Sequence, residues 1–384
     1  MRPTGDIRRG FGKGRWKAAA PKSTMAGMLA YAARRLLLLI PTLVLILAVN
    51  FLLVQLAPGG PIERLAAELE GEAVDATARV GGAGASVQAD PGAYRGARGL
   101  DPELIKELER EFGFDRPWPE RFARMLGGYL TFDLGRSFFR DRPVAGLILE
   151  KLPVSLTLGL WSTLLIYAAS IPLGIAKARR PGSGFDAVTS GLVVVGHAVP
   201  GFMVAVLLVV LFAGGSFLAW FPLRGLTGED WAALSPLGKA LDYLHHAALP
   251  VLSLVAGGFA GLTLLTRNGF LEELAKPYVV TARAKGLPEG RVLYGHVFRN
   301  AMLVVISSFP QALVGVLFTG ALMVEVIFSL DGLGLLGFEA VVNRDYPVIF
   351  GTLYVLSLMG LLANLAGDLA AAWADPRIDF GARA

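Results

Sequence analysis

Residues 36–57 read Leu-Leu-Leu-Leu-Ile-Pro-Thr-Leu-Val-Leu-Ile-Leu-Ala-Val-Asn-Phe-Leu-Leu-Val-Gln-Leu-Ala, twenty-two positions without a charge, entered through Arg34-Arg35 and left through Pro58-Gly59-Gly60. At about 1.5 Å per residue a helix of roughly 20 apolar residues crosses a hydrocarbon core of about 30 Å, so this run predicts a membrane span. It is too long for the roughly 7–15-residue apolar core of a signal peptide and ends in no clean small-x-small cleavage site, so it is expected to stay as a span. Residues 1–24 are basic and poor in apolar side chains, which reads as a disordered extension; Met25 and Met28 are alternative natural starts.

Working outward, five more runs of this kind follow, at 154–176, 187–213, 247–266, 301–328 and 348–373, and only Glu325 and Asp368 place an acid or base inside them. The whole chain agrees: 54% of its 384 residues are hydrophobic and 17% charged, against about 25% charged in soluble domains. The expected fold is an all-α membrane protein with six transmembrane helices. With no cysteine, a disulfide scaffold, a thiolate metal site and a cysteine nucleophile are all excluded.

Lysine and arginine set the orientation. Nine lie in residues 1–35, three between spans two and three, six between spans four and five, and two after span six, twenty on one face. The opposite short loops hold Arg224, Lys239 and Arg344 against Glu229, Asp230, Asp242, Asp331, Glu339 and Asp345. Positive charge is retained inside, so both termini are expected in the cytoplasm and the chain in the inner (plasma) membrane, in contact with lipid.

The first outer loop, residues 58–153, is too long for a bare connector. Its Gly/Ala-rich part, 71–99, has no apolar period and reads as a flexible insert. After it, Asp101 as N-cap, Pro102 at N1 and Leu104, Ile105, Leu108 and Phe112 at helical spacing predict one short helix. Phe122, Met125, Leu126 and Tyr129 predict a second over 119–130. Together they make a small helical extracytoplasmic cap in the first loop. The remainder divides into a transmembrane core over 154–373 and a cytoplasmic tail at 374–384.

Between spans four and five, residues 274–291 carry Pro277-Tyr278-Val279-Val280-Thr281-Ala282-Arg283-Ala284-Lys285-Gly286-Leu287-Pro288. Pro277 suits a first helical position, Gly286 a left-handed C-cap and Pro288 a second start, so the segment spells helix, turn, helix. Ala282 and Gly286 lie four apart with almost no side chain. That pattern suits close approach by another protein's backbone, and equally an ordinary glycine-capped turn.

This segment resembles the coupling loop of binding-protein-dependent ABC transporter permeases, in the Thr-Ala-Arg-Ala-Lys-Gly-Leu form of the dipeptide/oligopeptide family. The likeness covers nearly the whole chain: Ala57-Pro58-Gly59-Gly60-Pro61, Phe112-Gly113-Phe114-Asp115, Phe132-Asp133-Leu134-Gly135-Arg136-Ser137, His296, Arg299-Asn300-Ala301, Asn343-Arg344-Asp345-Tyr346-Pro347 and Asp375-Pro376-Arg377-Ile378 stand in the family's order. The long first loop, residues 58–61 and Ser329-Leu330-Asp331-Gly332-Leu333-Gly334 are most similar to the microcin C type of oligopeptide permease. Two departures stand out. Where the general coupling consensus has Glu-Ala-Ala, this chain has Val280, Thr281 and Ala282, and the 71–99 insert matches nothing in the family core.

The resemblance implies an ABC type I importer permease, a homologous permease partner, two ABC ATPase subunits and an extracytoplasmic peptide-binding protein, with no nucleic-acid partner. Tyr278, Thr281, Ala282, Arg283, Ala284, Lys285, Gly286 and Leu287 would then contact the ATPase. The chain has no glycine-rich phosphate loop ending in Gly-Lys-Ser or Gly-Lys-Thr. It is expected to hold no cofactor, ATP and Mg²⁺ being bound by the partner ATPase subunits.

Polar residues within the spans are the candidates for the translocation path, because such groups are costly in lipid. They are His197, Glu325, Gln311 and Asn364. His197 lies about 15 Å into span three, near the midplane and three residues before Pro200, which is expected to kink the helix; path lining and helix packing both fit it. Glu325, about 36 Å along span five, belongs near the outer mouth as a loop anchor or a cavity wall. Asp368 is expected near the inner surface, capping or pairing with a basic flank. Asn50, Gln311 and Asn364 also suit interhelical hydrogen bonding. His245-His246 is not expected to form a metal pair, since adjacent helical residues point apart. A membrane hydrolase is disfavoured because no Gly-x-Ser-x-Gly occurs. An ion-coupled secondary transporter would ordinarily show inverted repeats and midplane carboxylates. A permease for a metal chelate shares the same family text and stays open.

Overall fold

The computed structural model describes residues 25–56, 110, 114–213, 215, 217–315 and 322–374. The insert at 71–99, the first cap helix at 101–112 and the tail from 375 lie outside the described residues. Within them every regular element is helical, apart from one isolated bridge between Arg136 and Pro143.

Among the described residues four helices are long and apolar enough to cross a membrane: α1 (Met25–Leu56), α3 (Val144–Arg179), α6 (Pro236–Leu274) and α12 (Tyr346–Ala374). The short α2 (Trp118–Leu130) precedes α3. Span three is a bent pair, α4 (Gly184–Ala198) and α5 (Gly201–Phe212), meeting at 92° across Val199-Pro200. The ring of Pro200 removes a backbone donor and collides with the preceding turn, so the kink expected there becomes a full break.

Span five also departs from the expected single helix over 301–328. After α7 (Pro277–Ala284) comes α8 (Glu289–Ala301), with a π-helical turn at Leu293–Val297, and then α9 (Leu303–Gly315), bent 50° from α8. Beyond residues 316–321, α10 (Leu322–Ile327) is followed by α11 (Leu333–Asn343). Apolar composition marks a stretch as buried or lipid-facing without saying that it is one straight rod.

Two helices overrun their apolar runs. α3 begins at Val144, ten residues before the expected start, because its charged first turns are paired: Arg142 with Glu150 at 2.6 Å, and Lys151 with Glu150 at 2.8 Å and with Asp331. α6 begins at Pro236, where the Ser235 hydroxyl accepts the Gly238 N–H at 3.2 Å.

Three apolar clusters hold the bundle. At one end Leu47, Phe51, Tyr129, Val144, Leu336 and Phe350 bring α1, α2, α11 and α12 onto the start of α3. In the middle Leu158, Ala205, Leu249 and Val324 join α3, α5, α6 and α10. At the other end Ile175, Phe270, Val279, Val292 and Val297 gather α7 and α8 against the ends of α3 and α6. Small residues let α3 and α6 approach closely; a methyl added at Gly174 would sit 2.7 Å from Thr266 Cβ.

A candidate coupling surface and a central cavity

The segment between α6 and α8 is a helix, a turn and a helix, as the prolines and glycine predict. α7 closes with Lys285 N–H donating to the Thr281 carbonyl at 3.1 Å, Gly286 N–H to Arg283 at 2.9 Å and Leu287 N–H to Ala282 at 3.3 Å. Gly286 has φ +76°, the left-handed region that a Cβ disfavours, and a Cβ there would meet nothing within 4 Å. The turn therefore needs glycine for its backbone and stands open to its surroundings.

One face of α7 is spent on the protein's own core. Val279 is fully buried and Ala282 nearly so, which corrects the idea that Ala282 and Gly286 together form an open small-residue face. The exposed face consists of Val280, Thr281, Arg283, Ala284, Lys285 and Gly286, with Leu287 half-buried.

Polar bonds fix α7 to its neighbours. Tyr278 Oη donates to Glu273 Oε2 at 2.7 Å and accepts from Asn300 Nδ2 at 3.4 Å; Lys276 pairs with the same Glu273. Burial, then the bond to Glu273, raises the Tyr278 hydroxyl above its usual range, and the Glu273 carboxylate does the same for the Lys276 ammonium. Arg283 pairs with Glu289 across the turn at 2.8 Å, which holds its guanidinium cationic. Arg299 Nε reaches the Ala374 carbonyl at 2.6 Å, tying α8 to the end of α12.

Beside this surface lies an ionic node that the sequence reading did not single out. Lys177, fully buried, donates to the Asp186 carbonyl at 3.1 Å, Thr189 Oγ1 at 2.9 Å and Ser190 Oγ at 2.7 Å, and stands 3.3 Å from Asp186 Oδ1. Arg267 grips the same carboxylate through Nε at 2.9 Å and Nη2 at 2.6 Å, and Gly182 N–H donates to it at 3.1 Å. One buried carboxylate thus joins the ends of α3, α4 and α6. Charges bounding apolar runs were the available signal, but counting them for orientation did not reveal who pairs with whom.

At mid-height a cavity of about 620 Å³ opens between α3, α5, α6, α9 and α10. Its wall is mostly apolar, with Thr163, Tyr167, Ser253 and Ser308 as polar points and Gly201 and Phe202 from the first turn of α5. None of the four path candidates lines it. His197, Gln311 and Asn364 are exposed on the surface of the single chain.

Glu325 is fully buried and acts as an anchor. Its carboxylate accepts the Leu335 N–H at 2.7 Å and the Gly334 N–H, and lies 3.4 Å from Ser155 Oγ; that hydroxyl in turn accepts the Leu333 N–H at 2.8 Å. The carboxylate caps the start of α11, where an anion is favoured.

The remaining singled-out residues have local partners. Asp368 pairs with Arg35 at 3.0 Å and accepts from Tyr31 Oη at 2.9 Å, the basic-flank alternative. Asn50 bonds back to the Ile46 carbonyl of its own helix at 2.9 Å instead of a neighbour. His245 Nε2 is 2.7 Å from the Trp220 carbonyl and His246 Nδ1 2.9 Å from that of Asp242, separate partners for the two rings.

Comparison with known proteins supplies the class. Residues 170–380 match the family described as binding-protein-dependent transport system inner membrane component. The chain is 54% identical over 360 residues to the peptidoglycan transport system permease protein YejB of Agrobacterium fabrum, covering 92% of this chain and 99% of that one. It is 53% identical to the inner membrane ABC transporter permease protein YejB of Escherichia coli O157:H7, covering 92% and 100%. To the oligopeptide transport system permease protein AppB of Bacillus subtilis it is 32% identical, again over 92% and 100%. The chain belongs to the binding-protein-dependent inner-membrane components, the multi-pass permease subunits of ABC importers. It is a transport subunit and not an enzyme; ATP is hydrolysed by separate ATPase subunits, and the family works with substrate-binding partners.

Proposed function

We propose that this chain forms a translocation path for peptides or peptide-like compounds with a homologous permease, and that the exposed face of α7 receives the motion of an ATPase. It crosses the membrane six times, counting each bent pair as part of one span, with both termini and α7 in the cytoplasm and α2 outside. The observation that carries the reading is the fixed, outward-facing turn at Gly286, on a chain without its own phosphate loop. The Glu273–Tyr278 bond ties that helix to the end of α6, and the Asp186 node ties α6 to α3 and α4, so a push on the turn moves long helices and not a loose loop. ATP and Mg²⁺ bind to the partner subunits, and the chain itself holds no cofactor.

The relatives' names support a peptide-bearing solute, and the wording of residues 58–61 and 329–334 supports the microcin C type within that class. Proteoliposomes holding this permease, its partner permease and the ATPases, supplied with the binding protein, should take up labelled oligopeptide only with ATP. Uptake of a metal chelate in place of peptide would support the metal-chelate alternative. Uptake driven by an ion gradient without ATP would support the secondary transporter and overturn the proposal.

A further inference from the structure

The helix α4 is attached to the bundle differently from the long helices around it. None of the three apolar clusters contains one of its residues, whereas α5, the other half of span three, contributes Ala205 and Leu208. Of its 15 residues only Asp186 and Val193 are buried, and Val188, Leu192 and Val195 form an exposed apolar stripe. At its far end the 92° break across Val199-Pro200 separates it from α5. There Gly201 stands against Gly257 of α6, where a Cβ on Gly257 would meet the Gly201 Cα at 3.7 Å, so no side chains interlock at the break. Element ends of this kind absorb hinge motions.

Charge fixes the near end. The side chains of Asp186, Thr189 and Ser190 bond to Lys177 of α3, and the Asp186 carboxylate also accepts both arms of Arg267 from α6. The turn at 180–183 tethers α4 to α3 in any case; the node adds α6 and sets the angle. Both cations stand beside the seat of α7. Ala178 follows Lys177, Phe270 lies about one turn beyond Arg267, and the two pack in one cluster with Val279 and Ala282 of α7. A displacement of α7 therefore reaches the two cations through packed side chains before it reaches α4. A buried ion pair adds little net stability over a well-packed apolar seam, and its best-attested use is to fix register. An apolar seam can slide, whereas a guanidinium fork meets a carboxylate in one geometry.

We propose that Asp186 is the positioning residue through which α4 follows α3 and α6 when an ATPase displaces α7. The hinge at Pro200 and Gly201 then lets this half of span three swing while α5 stays packed in the bundle. The proposal rests on the reading of α7 as the ATPase-facing surface, and adds to it which element moves and which side chains make it move.

The test uses the full transporter with its partner permease, ATPases and binding protein in proteoliposomes, and reads peptide taken up per ATP hydrolysed. Arg267→Met removes the α6 arm and leaves the Lys177–Asp186 pair, so no buried cation loses its counter-charge. The ATPase should be retained as in wild type, while uptake per ATP falls at least about fivefold, the low end of a typical coupling between sites. Arg267→Lys, which keeps the charge without the fork, should recover part of the ratio. Should Arg267→Met not assemble, Lys177→Met removes the other arm and is read in the same way. A purely structural node would lower the amount of assembled transporter and leave the ratio of what assembles unchanged.

A second readout follows α4 directly. The chain has no cysteine, so spin labels on Val188→Cys of α4 and Leu265→Cys of α6, both exposed, report one distance. That distance should stay the same between the nucleotide-free and vanadate-trapped states, and should broaden in Arg267→Met. An unchanged uptake ratio in the assembled variants, a wild-type distance that changes on trapping, or paired permeases that shed the ATPase in Arg267→Met would each overturn the proposal. Wild-type uptake that needs no ATP would fail the α7 reading and the proposal together, whereas ATP-driven uptake indifferent to Arg267 and Lys177 sinks the proposal alone.

Discussion

Substituting Gly332 by alanine tests whether Glu325 is an anchor for α11. A methyl at Gly332 would lie 2.5 Å from Glu325 Cδ and closer still to Oε1, a distance that cannot persist. Gly332 has φ −105° and ψ −177°, extended backbone that alanine adopts freely, so conformational strain contributes nothing. The carboxylate must withdraw and abandon the Leu335 and Gly334 N–H groups it caps. Each buried donor left unmet costs about 1–3 kcal/mol, which gives about 2–6 kcal/mol for Gly332→Ala in the wild-type background. In a Glu325→Ala background the collision is gone, and only the poorer N-cap preference of alanine remains, about 0.5–1 kcal/mol. The two substitutions should therefore couple by more than about 1 kcal/mol, the double variant being less damaged than the sum. Thermal unfolding of the four purified variants in one detergent, with denaturant titration for free energies, measures this. Additive losses would refute the anchor, because they would mean that the methyl and the carboxylate do not compete for the same space.

Three other outcomes follow from the same structure. Asp186→Asn leaves the fully buried Lys177, and the half-buried Arg267, without their shared counter-charge, and should cost about 3–5 kcal/mol in the same unfolding assay; Lys177→Met, which leaves the Arg267–Asp186 pair intact, should cost less. Gly286→Val should insert at wild-type levels yet lose ATPase retention and peptide uptake, whereas Gly286→Asn, whose side chain tolerates φ near +76°, should keep both more fully. Asp345, between α11 and α12, is held protonated to higher pH by burial and accepts from Ser137 Oγ and Phe138 N–H. Its folded value lies above its unfolded one, so Asp345→Asn should remove a loss of stability that begins as pH rises past the unfolded value and is complete above the raised folded one, seen as a flatter melting-temperature profile on the acid side.

Much of this architecture is legible in the chain because apolar length is a local property. Residues 36–57 become one helix, Pro200 breaks span three, and Pro277, Gly286 and Pro288 bound the turn where they are expected. What escaped is what depends on direction. Residues 301–328 are as apolar bent as straight, so the 50° bend after α8 has no compositional mark. α11 was hidden among outer-loop acids, although Gly332 and Gly334 were its signal: they clear room for a carboxylate seven and nine residues upstream. His197, Gln311 and Asn364 stand out for polarity at depth and are exposed on the single chain, whereas the polar points of the central cavity are hydroxyls that an apolar run absorbs without notice.

The central claim is that the exposed face of α7 meets an ATPase in the cytoplasm. Since the chain has no cysteine, Ala284→Cys on that face and Trp118→Cys on α2 give single, matched probes, both exposed. Each variant would be expressed with the partner permease and ATPase subunits, and treated with a short thiol-to-amine cross-linker in intact membranes. The account predicts an ATPase adduct from position 284 and none from position 118. An adduct from 118, or none from 284 when the ATPase co-purifies, would contradict it.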